Sequence, residues 1–191
     1  LYKLYLNYRP ELNLLLHFDH HNEEVLVNMV RSHGIEDLAF LFLLNAICVA
    51  IPGLSNGIFC VLNGILYGPA WGFIVNWISD ILGQIILMEL LQKLYDMKKM
   101  SNSKVYKLLT GLKSPMLGLI IGYMIPFIPS ATVSYVNIMI NKGQRKKQLI
   151  PIIIGVIPFA YLYAYGGDSI LHLDGPRLIK VVISFVVIAL I

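Results

Sequence analysis

The chain has 191 residues, of which 57% are hydrophobic and only 14% charged, a composition that excludes an ordinary soluble domain and indicates a membrane protein. Its net charge is +4, but the bases cluster beside apolar segments, which is typical of a cytoplasmic membrane face and argues against a nucleic-acid partner. We therefore expect an all-α polytopic membrane protein. Because the final apolar run after Arg177 is shorter than the roughly 20 residues of a spanning helix, we expect that last helix to be truncated.

Residues 1–37 hold six acids against three bases, so this segment lacks the signal of a cytoplasmic loop and is expected outside, as an interfacial segment. The membrane domain is expected to cover residues 38–191. Four potential metal ligands in the first segment are able to share one helix face: His17, His20, His21 and Glu24. A solvated polar face explains them equally well and no cysteine joins them, so neither a metal site nor a cofactor is predicted.

The loops 92–113 and 142–147 are rich in lysine and arginine, so both are expected in the cytoplasm. The uncharged stretch 114–141 between them has 28 residues, too few for two spans of about 20 residues each. It must therefore enter the bilayer and return to the same face. The uncharged stretch 38–68, with 31 residues, poses the same problem from the outer face. We predict two re-entrant helical hairpins that enter from opposite sides.

Proline and glycine mark where each hairpin turns. Pro52 and Gly53 lie at the centre of the first stretch, and Pro126 and Pro129 lie at the centre of the second. A predicted span follows each hairpin, over 71–91 and 148–166, which gives an inverted repeat. A sequence echo at an offset of 74 residues supports the repeat, since it aligns Asn63 with Asn137. Such broken helices form substrate sites in secondary transporters.

Asn76, Asp80 and Gln84 form a polar stripe on the span 71–91, because a spacing of four residues keeps side chains on one helix face. An acid at mid-bilayer costs roughly 2.5–3.5 kcal/mol and usually faces a cavity, a partner or a proton path. Asp80 is therefore the main candidate for a transport path, together with Asn76, Gln84, Asn63 and Asn137. The alternative is a neutral acid that hydrogen-bonds to Asn76 or Gln84.

Two further expectations concern the cytoplasmic end of this span and the end of the chain. Glu89 lies on the opposite face from the polar stripe and is expected to extend toward Lys93. A turn is predicted over 167–177, before the last helix.

Two regions resemble the signature regions of a known membrane-protein family. They are IPGLSNGIFCVLNGILYGPAWG in the first half and IPFIPSATVSYVNIMINKG with LIPIIIGVIPFAYLYAYGG in the second. Their Pro-Gly, Gly-Pro and Pro-x-x-Pro motifs, the following Asn and the late Gly-x-x-Pro are similar to those of the DedA/VTT superfamily, nearest its SNARE-associated Golgi protein branch. The similarity covers about residues 32–170.

This resemblance implies a VTT-like transmembrane domain with two opposed re-entrant hairpins. It also implies lipid movement across the bilayer, with phosphatidylethanolamine or undecaprenyl phosphate as substrates of bacterial members. Pro52 and Gly53 would lie at the first hairpin tip, and Pro126, Pro129 and Asn137 would belong to the second. Two positions depart from the family pattern. Tyr123 stands where members often have arginine, and Gln84 stands where many have aspartate.

The predicted function is translocation of a phospholipid or polyprenyl phosphate by a flippase or scramblase, with proton coupling left open. The predicted partners are membrane lipids, with a homo-oligomer left open, and the predicted location is the bacterial plasma membrane. A membrane-organising protein that moves nothing is the first alternative. An intramembrane serine hydrolase is the second, since Gly53 to Gly57 reads G-x-S-x-G. No histidine lies between His33 and His172 to serve as its base, so an enzyme is not predicted.

Overall fold

The computed structural model describes residues 35–94, 111, 114–125, 128–172 and 174–189, and all regular secondary structure in these ranges is α-helical. The helices are α1 (Ile35–Ala50), α2 (Gly57–Leu94), α3 (Pro115–Met124), α4 (Ser130–Ile140), α5 (Arg145–Gly155), α6 (Ile157–Leu171) and α7 (Gly175–Ala189). The prediction of an all-α fold is thus confirmed for this part of the chain. The histidine cluster and almost all of the predicted interfacial segment lie outside the described residues.

The helix α2 is broken at Gly68, which has a φ of 75° and is followed by Pro69. A positive φ favours glycine because it has no Cβ, and proline supplies no backbone N–H to continue the helix. The side-chain amide of Asn76 donates to the carbonyl of Cys60 at 3.0 Å. In a straight helix these two residues would be about 24 Å apart, so the chain reverses at Gly68. The arms of α2, residues 57–67 and 69–94, therefore lie side by side.

Both predicted hairpin breaks coincide with interruptions of helix. Residues 51–56 separate α1 from α2, with Gly53 at a φ of 93°. Between α3 and α4, Ile125 is extended and Pro129 precedes the first turn of α4. Pro126 lies outside the described residues. A tight turn over residues 141–144 then leads into α5.

The arm 69–94 is central to the packing. It contacts α1 on one side and α4 and α5 on another, while α2 as a whole packs most extensively against α6. One apolar core joins α2, α3, α4 and α5. Its most buried members, each at most 2% exposed, are Leu87, Leu119, Val133, Tyr135, Val136 and Ile152. The helices α5 and α6 are separated only by Val156, whose backbone is itself helical.

Trp77 connects this arm to α5, because its indole N–H donates to the carbonyl of Ile153 at 2.9 Å. Phenylalanine at position 77 keeps an aromatic ring but leaves that part-buried carbonyl without its donor. We expect Trp77→Phe to lower the free energy of unfolding by about 1 kcal/mol, as measured by denaturant unfolding in detergent. Trp71→Phe is the matched control, since Trp71 is 66% exposed on the same arm. Equal effects of the two substitutions would contradict this role of the indole.

Two local predictions are wrong. The predicted turn 167–177 is shorter, because α6 continues to Leu171 and α7 already begins at Gly175. Gly166 and Gly167 do not end the helix but are buried in it, and the backbone of Val61 lies against Gly167. Glu89 forms an ion pair with Arg145 of α5, and the expected approach to Lys93 is not what the structure shows.

Two helical stretches, Gly57–Lys93 and Arg145–Leu171, are long and apolar enough to cross a membrane. Although the first is folded back at Gly68, its arm 69–94 is by itself about 39 Å long. That arm has large apolar side chains at every fourth position, each 36–48% exposed: Ile74, Ile78, Leu82, Ile86 and Leu90. A continuous apolar face of this length is rare on soluble proteins and is suited to contact with lipid.

Candidate functional site

A cavity of about 360 Å³ lies where the two helix breaks meet. Residues 51–56 of the first break line one part of it, and Ile125 with residues 128–131 of the second break line another. Asp80 and Gln84 of α2 also line this cavity. Further lining comes from α1, α3, Val156 and α6, through Val49, Tyr123, Val156, Phe159 and Tyr163. We call it the tip cavity, because both predicted hairpin tips, 74 residues apart in the sequence, line it beside Asp80.

Asp80 is held by amides from two other parts of the chain. Its Oδ1 accepts hydrogen bonds from the Nδ2 atoms of Asn45, at 3.0 Å, and Asn56, at 2.8 Å. Among the described residues, none donates a hydrogen bond to Oδ2. Asp80 lines the tip cavity, although only 7% of the residue is exposed.

Asn45 and Asn56 also contact the atoms around Asp80. The Nδ2 of Asn45 donates to the hydroxyl of Ser79, and its Oδ1 accepts from the thiol of Cys60 at 3.4 Å. The Nδ2 of Asn56 lies 3.3 Å from the same sulfur. The acid is therefore fixed by α1, by the first break and by both arms of α2. Its hydrogen-bond partners are not Asn76 and Gln84, which the alternative reading of the sequence favoured.

The polar stripe on α2 is divided among different neighbours. Gln84 lines the tip cavity, and its Oε1 accepts a hydrogen bond of 2.8 Å from the hydroxyl of Ser134 on α4. Asn76 is fully buried and does not line the cavity. It accepts a hydrogen bond of 2.8 Å from Asn63 and so joins the two arms of α2. Of the three stripe residues, Asp80 and Gln84 reach the cavity and Asn76 stabilises the reversal at Gly68.

The remaining predicted site residues fall into two groups. Asn137 is fully buried away from the tip cavity, and its Nδ2 donates to the carbonyl of Gln148 at 2.8 Å. The predicted tip residues Pro52, Gly53 and Pro129 all line the cavity. The structure thus places the predicted tips at one site with Asp80, while Asn63, Asn76 and Asn137 are buried in the packing around it.

Sequence reasoning missed several polar residues around the site, above all Asn45, Asn56 and Ser134. A signal was available for Asn45, because it is an isolated amide in the apolar run LAFLFLLNAICVA, and polar residues in such runs are usually functional or paired. Asn56 lies in the break itself, where polar residues are common. Tyr123 was singled out only as a departure from a family pattern, yet it lines the cavity.

Asp80 is the one charged group in the described lining of the tip cavity. In the described ranges no three histidine, cysteine, aspartate or glutamate side chains lie close enough to hold a metal ion. A single carboxyl group in a small cavity can exchange a proton, hydrate the space or attract a cation.

No match to this chain was found among protein-family models, characterised proteins or solved structures. The resemblance to the DedA/VTT superfamily therefore stays a prediction from sequence motifs. The chemistry of the site is inferred from the contacts around Asp80.

Proposed function

We propose that this is a multi-pass membrane protein, of the DedA/VTT type that its motifs resemble, which moves lipid headgroups across the bilayer through the tip cavity. The observation that carries the proposal is the meeting of both helix breaks and Asp80 at one cavity. Breaks in helices leave backbone polar groups without intrahelical partners, and these are tolerated at membrane depth where they line a cavity. A lipid headgroup needs such a polar surface in the hydrocarbon region.

The lengths of the helices support re-entrant hairpins. The helices α3 and α4 have 10 and 11 residues, so each is about 15–17 Å long. A hydrocarbon core is about 30 Å thick, so each of these helices reaches only half-way across. The stretch Arg145–Leu171, with 27 residues, is about 40 Å long and spans fully. A polar cavity at the tips of half-length helices shortens the apolar barrier that a headgroup must cross.

The order of elements supports an inverted repeat. In each half a helix leads to a break, a short second arm, a sharp turn and then a long helix. In both halves an amide of the second arm hydrogen-bonds to the long helix beyond the turn, through Asn63 to Asn76 in one and Asn137 to Gln148 in the other. Because the basic loops assign the second hairpin to the cytoplasmic face and the first to the outer face, the two tips approach from opposite leaflets.

Asp80 sets the electrostatics of the proposed passage. An ionised carboxylate repels a phosphate group in a site of low dielectric constant, so an anionic headgroup passes more readily when Asp80 is protonated. A zwitterionic headgroup can instead place its cationic end near Oδ2. Passage of the lipid would then be linked to the protonation of one carboxyl group, while the acyl chains stay in the surrounding bilayer.

The test is lipid flip in proteoliposomes that contain the purified full-length protein. A fluorescent phospholipid is incorporated into both leaflets, and a membrane-impermeant reductant then bleaches the outer leaflet. In protein-free vesicles the inner half of the signal stays protected from the reductant. In vesicles that contain the protein, we expect this inner half to be bleached slowly as labelled lipid moves to the outer leaflet. An unchanged protected fraction would reject lipid movement and favour the membrane-organising alternative.

The hydrolase alternative is tested at Ser55. Ser55 lies in the tip cavity lining, but its Oγ only accepts a hydrogen bond of 3.4 Å from the backbone N–H of Gly57. The described lining contains no histidine or lysine to remove the hydroxyl proton, so the serine is not activated. We expect no labelling by a fluorophosphonate probe above the level of a Ser55→Ala variant. Labelling that depends on Ser55 would favour the hydrolase.

A further inference from the structure

A second, smaller cavity of about 100 Å³ lies on the other side of Gln84 from the tip cavity, toward the end of the arm 69–94. It is lined by Ile85, Met88, Arg145, Gln148 and Leu149. Arg145, the first residue of α5, pairs with Glu89 of α2 beside this cavity, and both side chains are partly exposed. The turn over residues 141–144, which contains Lys142, and the exposed residues Lys146 and Lys147 adjoin this cavity. The second cavity therefore lies on the face of the protein that carries these lysines, which we call the lysine-bearing face.

Buried polar groups connect the two cavities, through four side chains and the backbone carbonyl of Gln148. Gln84 and Tyr123 line the tip cavity, and the hydroxyl of Ser134 bonds to both, at 2.8 and 2.9 Å. The Nδ2 of Asn137 lies 3.4 Å from the Tyr123 hydroxyl and 2.8 Å from the carbonyl of Gln148. Gln148 lines the second cavity. We call these five residues the polar chain.

The polar chain runs through the most apolar part of the molecule. Ser134 and Asn137 are completely buried, and so are the neighbouring core residues Leu119, Val133 and Ile152. Burying hydroxyl and amide groups costs free energy unless each is hydrogen-bonded, and apolar side chains would fill the same space without that requirement. If these polar residues served only to stabilise the hairpin of α3 and α4, they would not need to extend to α2 and α5. They would also not need to end at a cavity on each side.

We propose that the two cavities are the ends of one route, that the polar chain closes it in this structure, and that the Glu89–Arg145 ion pair is the latch on the lysine-bearing face. This inference rests on the proposed function and specifies its path. Separation of α5 from the arm 69–94 would break the latch and draw Gln148 away from Asn137. The polar chain would then offer its hydrogen-bonding groups to water or to a headgroup.

The experiment measures access to Ser134. The full-length protein carries Ser134→Cys in a background with Cys48→Ala and Cys60→Ser, in sealed vesicles. A membrane-impermeant cationic thiosulfonate is added from the lysine-bearing face. A partly exposed ion pair contributes about 0.2–1 kcal/mol, so Glu89→Gln with Arg145→Gln should raise the modification rate by a factor of about 1.4 to 5. The exchanged pair Glu89→Arg with Arg145→Glu restores the attraction and should return the rate to that of the native pair.

Ser169→Cys is the matched control, because Ser169 is fully buried on α6 and outside the polar chain. Its modification should not respond to the latch. An equal rise at positions 134 and 169 would indicate general loosening and overturn the inference, as would access to position 134 from the opposite face alone. Lipid flip is measured separately on the same vesicles. If the protein flips lipid but position 134 is not modified, this route is rejected and lipid movement is retained. If position 134 is modified but no lipid is flipped, the route is retained and lipid movement is rejected.

Discussion

Asp80→Asn is expected to slow the flip of a zwitterionic phospholipid in proteoliposomes at least about tenfold, because the cationic end of the headgroup loses its carboxylate partner, and this corresponds to about 1.4 kcal/mol in the barrier. Asparagine has the same shape, and its Oδ1 can still accept hydrogen bonds from Asn45 and Asn56. The substitution removes only the charge and the exchangeable proton. Because burial of an acid in a bilayer costs roughly 2.5–3.5 kcal/mol, the variant should unfold at the same or a higher denaturant concentration than the native protein. Lost flip in a stable protein would then identify a role in transport.

The matched control for this substitution is Asp174→Asn. Asp174 precedes α7 outside the tip cavity, where its Oδ1 accepts a hydrogen bond from the backbone N–H of Arg177. Asparagine caps helices as well as aspartate, and the partly exposed ion pair of Asp174 with Arg177 contributes at most about 1 kcal/mol, so this variant removes a carboxylate with little effect on the fold. It should flip lipid at the native rate. If Asp80→Asn also flips lipid at the native rate, Asp80 has no role in the passage, and a buried neutral acid with a structural role is the better description.

The breaks in the helices were predictable because their causes are local. Proline lacks a backbone N–H, and glycine tolerates a positive φ, so Pro52 with Gly53 and the proline pair at 126 and 129 indicated interruptions, whereas the single Pro151 lies inside α5. The reversal at Gly68 has the same kind of cause, with Pro69 behind it. The sequence analysis placed the end of the first hairpin at residue 68, in agreement with the observed reversal.

The partners of the polar residues were not predictable from periodicity. Asp80 and Asn45 are 35 positions apart, and their contact exists only because α1 packs on the arm 69–94. Periodicity correctly placed Asn76, Asp80 and Gln84 near one face. The side chains of that face meet different elements, so one contacts the other arm, one contacts α1 and one contacts α4. The same limit explains the ion pair of Glu89 with Arg145, because it depends on the position of α5.

Glycine has two roles in this chain that the sequence alone does not separate. The predicted span ended at Gly166, and the predicted turn began at Gly167. In the structure both are helical and buried, and Gly167 permits close contact between α6 and the first arm of α2. In a bilayer, small residues at such contacts let helix backbones approach closely, which favours association where apolar area alone contributes little.

Alanine at Gly64 or Gly167 is therefore expected to lower the free energy of unfolding strongly. A Cβ at Gly64 would overlap the backbone carbonyl of Ala164, and a Cβ at Gly167 would overlap that of Val61. Neither neighbour is a flexible side chain that can move aside, so α6 and the arm 57–67 must separate. Overpacking of this kind costs about 1–3 kcal/mol per site, a large part of a typical stability of about 5–15 kcal/mol. The measurement is the recovery of monodisperse protein in detergent and its unfolding midpoint.

Gly175→Ala is the matched control, because a Cβ at that position meets nothing within 4 Å. Its yield and unfolding midpoint should equal those of the native chain, whereas normal yields of Gly64→Ala and Gly167→Ala would show that α6 and α2 do not pack as described. The arm 57–67 leads directly from the break at 51–56, so its contact with α6 also holds the first tip at the tip cavity. Alanine at Gly64 should therefore lower stability and lipid flip together, while Asp80→Asn slows flip alone.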